Sequence, residues 1–163
     1  MIAKIYGYLA PFIAACVASW ITYYFTLRQK KHELLLQEKL HAFKAIQAYL
    51  VSLRRYCEAG IAEVEGGDFN PTFESLPEND PKSALIHSTA LQNVIDSNLI
   101  FISHSARKAL NELIQQVYML CSMELAISSD PELKSSSPSG YSATIREVEN
   151  CINILYSELK LPN

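Results

Sequence analysis

Two serines and two bases fall close together in ISHSARKAL, residues 102–110: Ser103, Ser105, Arg107 and Lys108. If a helix begins at residue 104, its first backbone N–H groups lack intrahelical partners. Hydroxyls and cations beside those groups make a site suited to phosphate oxygens. The same residues also make an ordinary helix start, with Ser103 as the cap and the bases in solvent. The stretch LKSSSPSGYS, residues 133–142, repeats the pattern with Lys134, a serine run and Gly140 ahead of a helical segment. Arg54, Arg55 and Tyr56 add charge and a ring that can stack, on what reads as a solvated helix face.

Other chemistry is sparse. The chain has no GxSxG, Walker loop, HExxH or GxGxxG motif. His32, His41, His87 and His104 have no cysteine or carboxylate partner at metal-ligand spacing. Cys16, Cys57, Cys121 and Cys151 form no CxxC, and the last three read as small, reduced core residues. Glu112 and Glu124, and Glu147 and Glu149, read as solvated helix faces. We therefore expect no enzyme, no metal and no cofactor. A net charge of −3 gives no case for binding DNA through bulk charge.

The elements that must position these residues begin with an uncharged run over residues 5–27. At 1.5 Å per residue it is long enough to cross a hydrocarbon core of about 30 Å. Tyr6 and Tyr8 stand near one end, and Trp20, Tyr23 and Tyr24 near the other, as interfacial aromatics do. Residues 13–16, IAAC, resemble the lipobox of an acylated lipoprotein. Against that, the apolar run continues through Val17, Trp20, Ile21 and Phe25. Bases follow it: Arg28, Lys30, Lys31, Lys39, Lys44, Arg54 and Arg55, with only Glu33 and Glu38 opposed through residue 55. Residues 58–80 are acidic without a single base. Positive flanks stay inside, so the reading is a single-pass protein of the inner membrane, N-terminus out and C-terminal domain cytoplasmic. Gly7, Ala10, Ala14 and Ala18 recur near helical spacing and would let spans approach as a homo-oligomer.

Past residue 27 the pattern stays helical. Leu36, Leu40, Phe43, Leu50, Cys57, Ile61 and Val64 form one stripe, and no Pro or Gly falls between residues 12 and 59. Further helices are expected over residues 81–99, opened by Asp80-Pro81, over 104–128, and over 141–160. Leu85, Leu91, Val94 and Ile95 should face inward on the second. The fold class is thus all-α: a transmembrane anchor (1–27) whose helix continues as a stalk (28–65) into a cytoplasmic four-helix-type bundle (28–163).

This layout of anchor, stalk and helical module resembles small single-pass membrane effectors of bacterial antiphage systems. The resemblance is one of architecture, carried by no diagnostic motif. It implies a non-enzymatic effector whose cytosolic domain senses an anionic small molecule, such as a cyclic nucleotide second messenger, and acts on the lipid bilayer. Arg54, Arg55, Ser103, Ser105, Arg107 and Lys108 would then hold the ligand. A tether that docks a cytosolic protein partner, with the acidic loop as its surface, fits the same layout.

Overall fold

The computed structural model describes residues 2–65, 72–78, 80–130 and 137–159, and over 2–11 it describes the backbone alone. Every regular element among the described residues is helical. The helices are α1 (Ile2–Glu65), α2 (Ala84–Ser97), α3 (His104–Ser129) and α4 (Ser137–Leu159), with 3₁₀ turns at Phe73–Ser75 and Leu99–Phe101. The chain divides into two units, Met1–Lys39 and Leu40–Asn163.

The second unit is a four-helix bundle built from the 40–65 part of α1 with α2, α3 and α4. Contacts between named residues give the helix directions. Gly60, Arg54 and Gln47 of α1 meet Tyr141, Glu149 and Tyr156 of α4, so these two helices are antiparallel. Tyr56 of α1 meets Glu124 near the end of α3, so α1 and α3 run the same way. Tyr56 also meets His87 in the first turn of α2. The result is an up-down-up-down bundle.

Its core follows the 3.6-residue period. Ile46, Leu50, Leu53 and Cys57 of α1 face Leu91 and Ile95 of α2, Leu110, Leu113, Val117 and Leu120 of α3, and Val148, Cys151 and Leu155 of α4. Ala42, Ala59, Ala84, Ala106 and Ala109 are buried too, and small residues let backbones approach. Three polar core residues are satisfied locally. Ser88 Oγ donates to the Leu85 carbonyl at 2.8 Å, Thr144 Oγ1 to the Gly140 carbonyl at 2.9 Å, and His87 Nε2 to the Pro81 carbonyl at 3.0 Å.

Several boundaries differ from expectation for identifiable reasons. Asp80-Pro81 does not open α2, which starts at Ala84. The Asp80 carboxylate lies 3.3 Å from Arg55 Nη2, and the Pro81 carbonyl is taken by the His87 ring, so the segment is held as a loop. Leu85 is 60% exposed, because the buried stripe of α2 is Ala84, His87, Ser88, Leu91 and Ile95. The fourth helix starts earlier than expected, at Ser137. Pro138 is tolerated in a first turn, where its missing N–H would have no partner. Gly140 sits under Met123: a Cβ there would lie 2.6 Å from Met123 Sδ.

In the first unit α1 leaves its apolar side chains uncovered. Phe12 is 68% exposed and Trp20 69%, and Ile13, Val17, Ile21, Tyr23, Tyr24, Phe25, Leu27, Leu34 and Leu35 are exposed as well. Among the described residues no helix is long and apolar enough to cross a membrane. The side chains of 5–11, part of the expected span, lie outside the described residues. The remaining 12–27 would cover only about 24 Å at 1.5 Å per residue, short of a core of about 30 Å. Of the small-residue stripe, the Gly7 and Ala10 positions lie outside the described side chains, and Ala14 and Ala18 are exposed.

The bundle core predicts a clear mutational contrast. Leu110→Ala, at a fully buried position, should cost about 2–5 kcal/mol of unfolding free energy. Leu85→Ala, on the surface, should stay within about 0.5 kcal/mol. Urea unfolding of the full-length protein in mild detergent, followed by circular dichroism, checks both; equal costs would contradict this core.

Candidate functional site

The start of α3 is built as the sequence suggested, but its anion comes from the chain itself. Ser103 caps the helix, its Oγ accepting from the Ala106 N–H at 3.1 Å. Ser103 and Ser105 also donate to Oε1 of Glu158, the latter at 3.1 Å. Glu158 lies near the end of α4, which the antiparallel packing brings to the start of α3. A carboxylate thus occupies the position where a phosphate was expected, and it suits the positive end of the helix dipole.

The bases are likewise engaged. Arg107 Nη2 donates to the Leu99 carbonyl at 3.3 Å. Arg107 Nε and Glu158 Oε2 are both buried without a hydrogen-bond partner among the described residues. Lys108 stands 3.8 Å from Glu112. Arg54 Nε donates to Glu58 at 2.7 Å, and its Nη1 lies 3.6 Å from Glu149. The Arg55–Asp80 contact is an ion pair by distance but not by hydrogen-bond geometry, since Asp80 Oδ2 accepts no hydrogen bond. Arg54 and Arg55 are each nearly half exposed, so their pairs are worth at most about 1 kcal/mol. The structure therefore brings Ser103, Ser105 and Arg107 together at one helix start. Arg54 and Arg55 lie apart from them, on α1. Lys134 lies outside the described residues, and Ser137 and Gly140 belong to the first turn of α4 rather than to a loop ahead of it.

What the sequence reading missed is a polar cluster inside the bundle. Tyr56, expected on a solvated face, is 3% exposed. Its hydroxyl donates to Glu124 Oε1 at 2.6 Å, and the Tyr141 hydroxyl donates to the same oxygen at 3.1 Å. Glu124 is therefore not a solvated-face residue: it is half-buried and joins three helices. The Tyr56 ring lies 4.9 Å from the His87 ring, 5.1 Å from Phe73 and 6.4 Å from Tyr141, measured between centroids. Burial, reinforced by Glu124, pushes both tyrosines well above the ordinary phenol range, so both stay protonated donors. The one available signal was Gly60, a glycine within an otherwise unbroken helical stripe. A Cβ there would lie 2.5 Å from the Tyr141 ring, so the glycine makes room for that ring.

The two buried cysteines are held as thiols. All four are free, and burial raises Cys57 and also Cys151, the latter to about 12, so neither is a thiolate near neutral pH. Among the described residues no group of three His, Cys, Asp or Glu side chains is placed to hold a metal ion. Comparison with protein-family models, curated proteins and solved structures found no match.

His87 gives the cluster a pH dependence. Burial lowers its pKa below the usual 6.5, against smaller upward pulls from the Pro81 carbonyl and Asp80. The folded state then binds a proton less readily than the unfolded state. The stabilisation is complete above the unfolded value and is lost as pH falls below it toward the folded value. Melting temperature should thus drop between about pH 7.5 and pH 5.5, and drop less in His87→Gln, which cannot take up that proton. Parallel slopes for the two proteins would remove His87 as the cause.

Proposed function

We propose that this chain is a non-enzymatic, single-pass protein of the inner membrane that holds a helical bundle on the cytoplasmic side, where the bundle docks a protein partner. The observation that carries the reading is the uncovered apolar run of α1. Side chains from Phe12 to Leu27 are exposed, with no charge among them, and Arg28, Lys30 and Lys31 follow at once. Exposed apolar surface on that scale marks a membrane or protein interface. Thr22 and Thr26 return their hydroxyls to the Ala18 and Thr22 carbonyls at 2.9 and 2.8 Å, the way such groups are satisfied in lipid. The basic flank supports an inside C-terminus, and Ala14 and Ala18 support side-by-side packing of spans.

Docking of a protein is supported by the α2–α3 surface. Leu85 and Leu125, 60% and 70% exposed, line one cleft with Cys121, and Tyr118 and Met119 lie uncovered on α3. Of the acidic loop, residues 66–71 and 79 lie outside the described residues, and Glu74 and Glu78 are exposed beside it. A second reading keeps the antiphage-type effector that senses a nucleotide, and the partial exposure of Arg54 and Arg55 favours it. The helix start at Ser103 supports it less, because a phosphate there would have to displace the Glu158 carboxylate.

Membrane association and ligand titration test these readings. Full-length protein should sediment with membranes and resist alkaline extraction. A C-terminal fluorescent protein should be bright and a C-terminal alkaline phosphatase inactive. Val17→Arg, which opposes insertion by about 2.5–3.5 kcal/mol, should release a large fraction, and Ala14→Leu with Ala18→Leu should reduce cross-linked oligomers without releasing the protein. Soluble wild-type protein would end the anchor reading. Calorimetric titration of the detergent-solubilised full chain with linear and cyclic nucleotides separates the two functions. Saturable binding lost in Arg54→Ala or Arg55→Ala would favour the effector; no binding up to the millimolar range leaves docking.

A further inference from the structure

A cavity of about 170 Å³ lies among the end of α1, the end of α3 and the first turn of α4. Gly60, Glu63, Phe73, Glu124, Ser137 and Tyr141 line it. Its described walls carry two carboxylates, two aromatic rings and no base. We propose that this cavity binds a small organic ammonium ion, a cation whose charge is spread over alkyl substituents.

The chemistry of the walls selects that class. An ammonium ion is attracted to ring faces within about 6 Å and to a nearby carboxylate, and alkyl groups on nitrogen are content against rings and aliphatic walls. An anion would meet Glu63 and Glu124 together. Among the described residues no group of three His, Cys, Asp or Glu side chains is placed to hold a metal ion, and aromatic walls supply none of the oxygen ligands that hard cations take. The volume is several times that of one water yet below the roughly 300 Å³ at which drug-sized pockets begin, so the ligand has few heavy atoms.

The carboxylate is preorganised. Both tyrosine hydroxyls donate to Glu124 Oε1, at 2.6 and 3.1 Å, which fixes the group and leaves Oε2 to neither tyrosine. Because both phenols stay protonated, they orient the charge without neutralising it. Gly60 completes the wall, since a Cβ at this position would drive into the Tyr141 ring. The site is independent of the membrane reading: it belongs wholly to Leu40–Asn163 and holds whether or not α1 enters a bilayer.

Tetramethylammonium chloride is the probe, titrated by calorimetry into full-length protein in non-ionic detergent, with sodium chloride as the matched control. The expected result is saturable binding in the millimolar range that sodium does not reproduce. Glu124→Gln, which keeps an oxygen for the tyrosine hydroxyls, should weaken it about tenfold or more, and Tyr141→Phe, which keeps the ring, about threefold or less. Glu63→Gln, at an exposed position that the fold does not need, should weaken it about threefold and decides the matter if Glu124→Gln does not fold. Absence of saturation below about 50 mM, an equal response to sodium, or unchanged affinity in a folded carboxylate variant would overturn the proposal.

Discussion

One carboxylate oxygen accepts from two tyrosines, and the upper half of the bundle depends on that arrangement. Tyr56 comes from α1, Tyr141 from α4 and Glu124 from α3, so a single acceptor sets the relative height of three helices. A half-buried carboxylate without donors would cost several kcal/mol, and two phenol donors offset much of that. Geometry then propagates. Tyr141 can reach Glu124 only by lying across α1, which requires Gly60 beneath it. Tyr56 turns its ring toward His87, which brings in α2 and, through the Pro81 carbonyl, the loop before it.

The other end of the bundle uses the same device with different residues. Ser103 and Ser105 at the start of α3 donate to Glu158 near the end of α4. The stretch between the two polar ties is apolar, from Leu50 through Leu113 and Val117 to Val148 and Cys151. Apolar packing is non-directional and tolerates sliding by a turn. Directional hydrogen bonds at both ends do not, so the ties select one register from the several that the apolar stripes alone would accept.

The helices were legible because each carries a stripe at spacings of three and four. Phe43, Leu50 and Cys57 on α1, and Leu110, Leu113, Val117 and Leu120 on α3, are buried as that spacing requires. Leu85 was read inward from its hydrophobicity, but the start of α2 depends on Arg55 and on the His87 ring, which are distant in sequence or unrecognised as loop formers. The α3 start reads as a phosphate site from local chemistry, its hydroxyls, bases and free amides. Local chemistry has no access to Glu158, 55 residues from Ser103 in sequence and adjacent only once α4 folds back. Glu124 and Tyr56 were read as surface because a polar side chain on an amphipathic helix usually is. Only the three-dimensional coincidence of two hydroxyls and one carboxylate makes burial tolerable there.

These placements reverse the sign of the electrostatic argument. In the sequence Arg54, Arg55, Arg107 and Lys108 stand out beside helix starts and a ring, and they suggest an anionic ligand. In the fold Arg54, Arg55, Arg107 and Lys108 are engaged by acids or carbonyls of the bundle's own helices and loops. A surface cation already facing a carboxylate offers little net attraction to an incoming anion. The carboxylates that line the cavity, Glu63 and Glu124, share it with two aromatic rings and, among its described walls, with no base. Unbalanced charge on a half-buried group such as Glu124 governs which ions enter more than balanced charge on the surface, because screening is weaker there. The bases nearest the apolar run, Arg28, Lys30 and Lys31, follow the same logic in the other direction. The short acid count before residue 40 leaves them in excess, which suits an anionic lipid surface rather than a site inside the bundle.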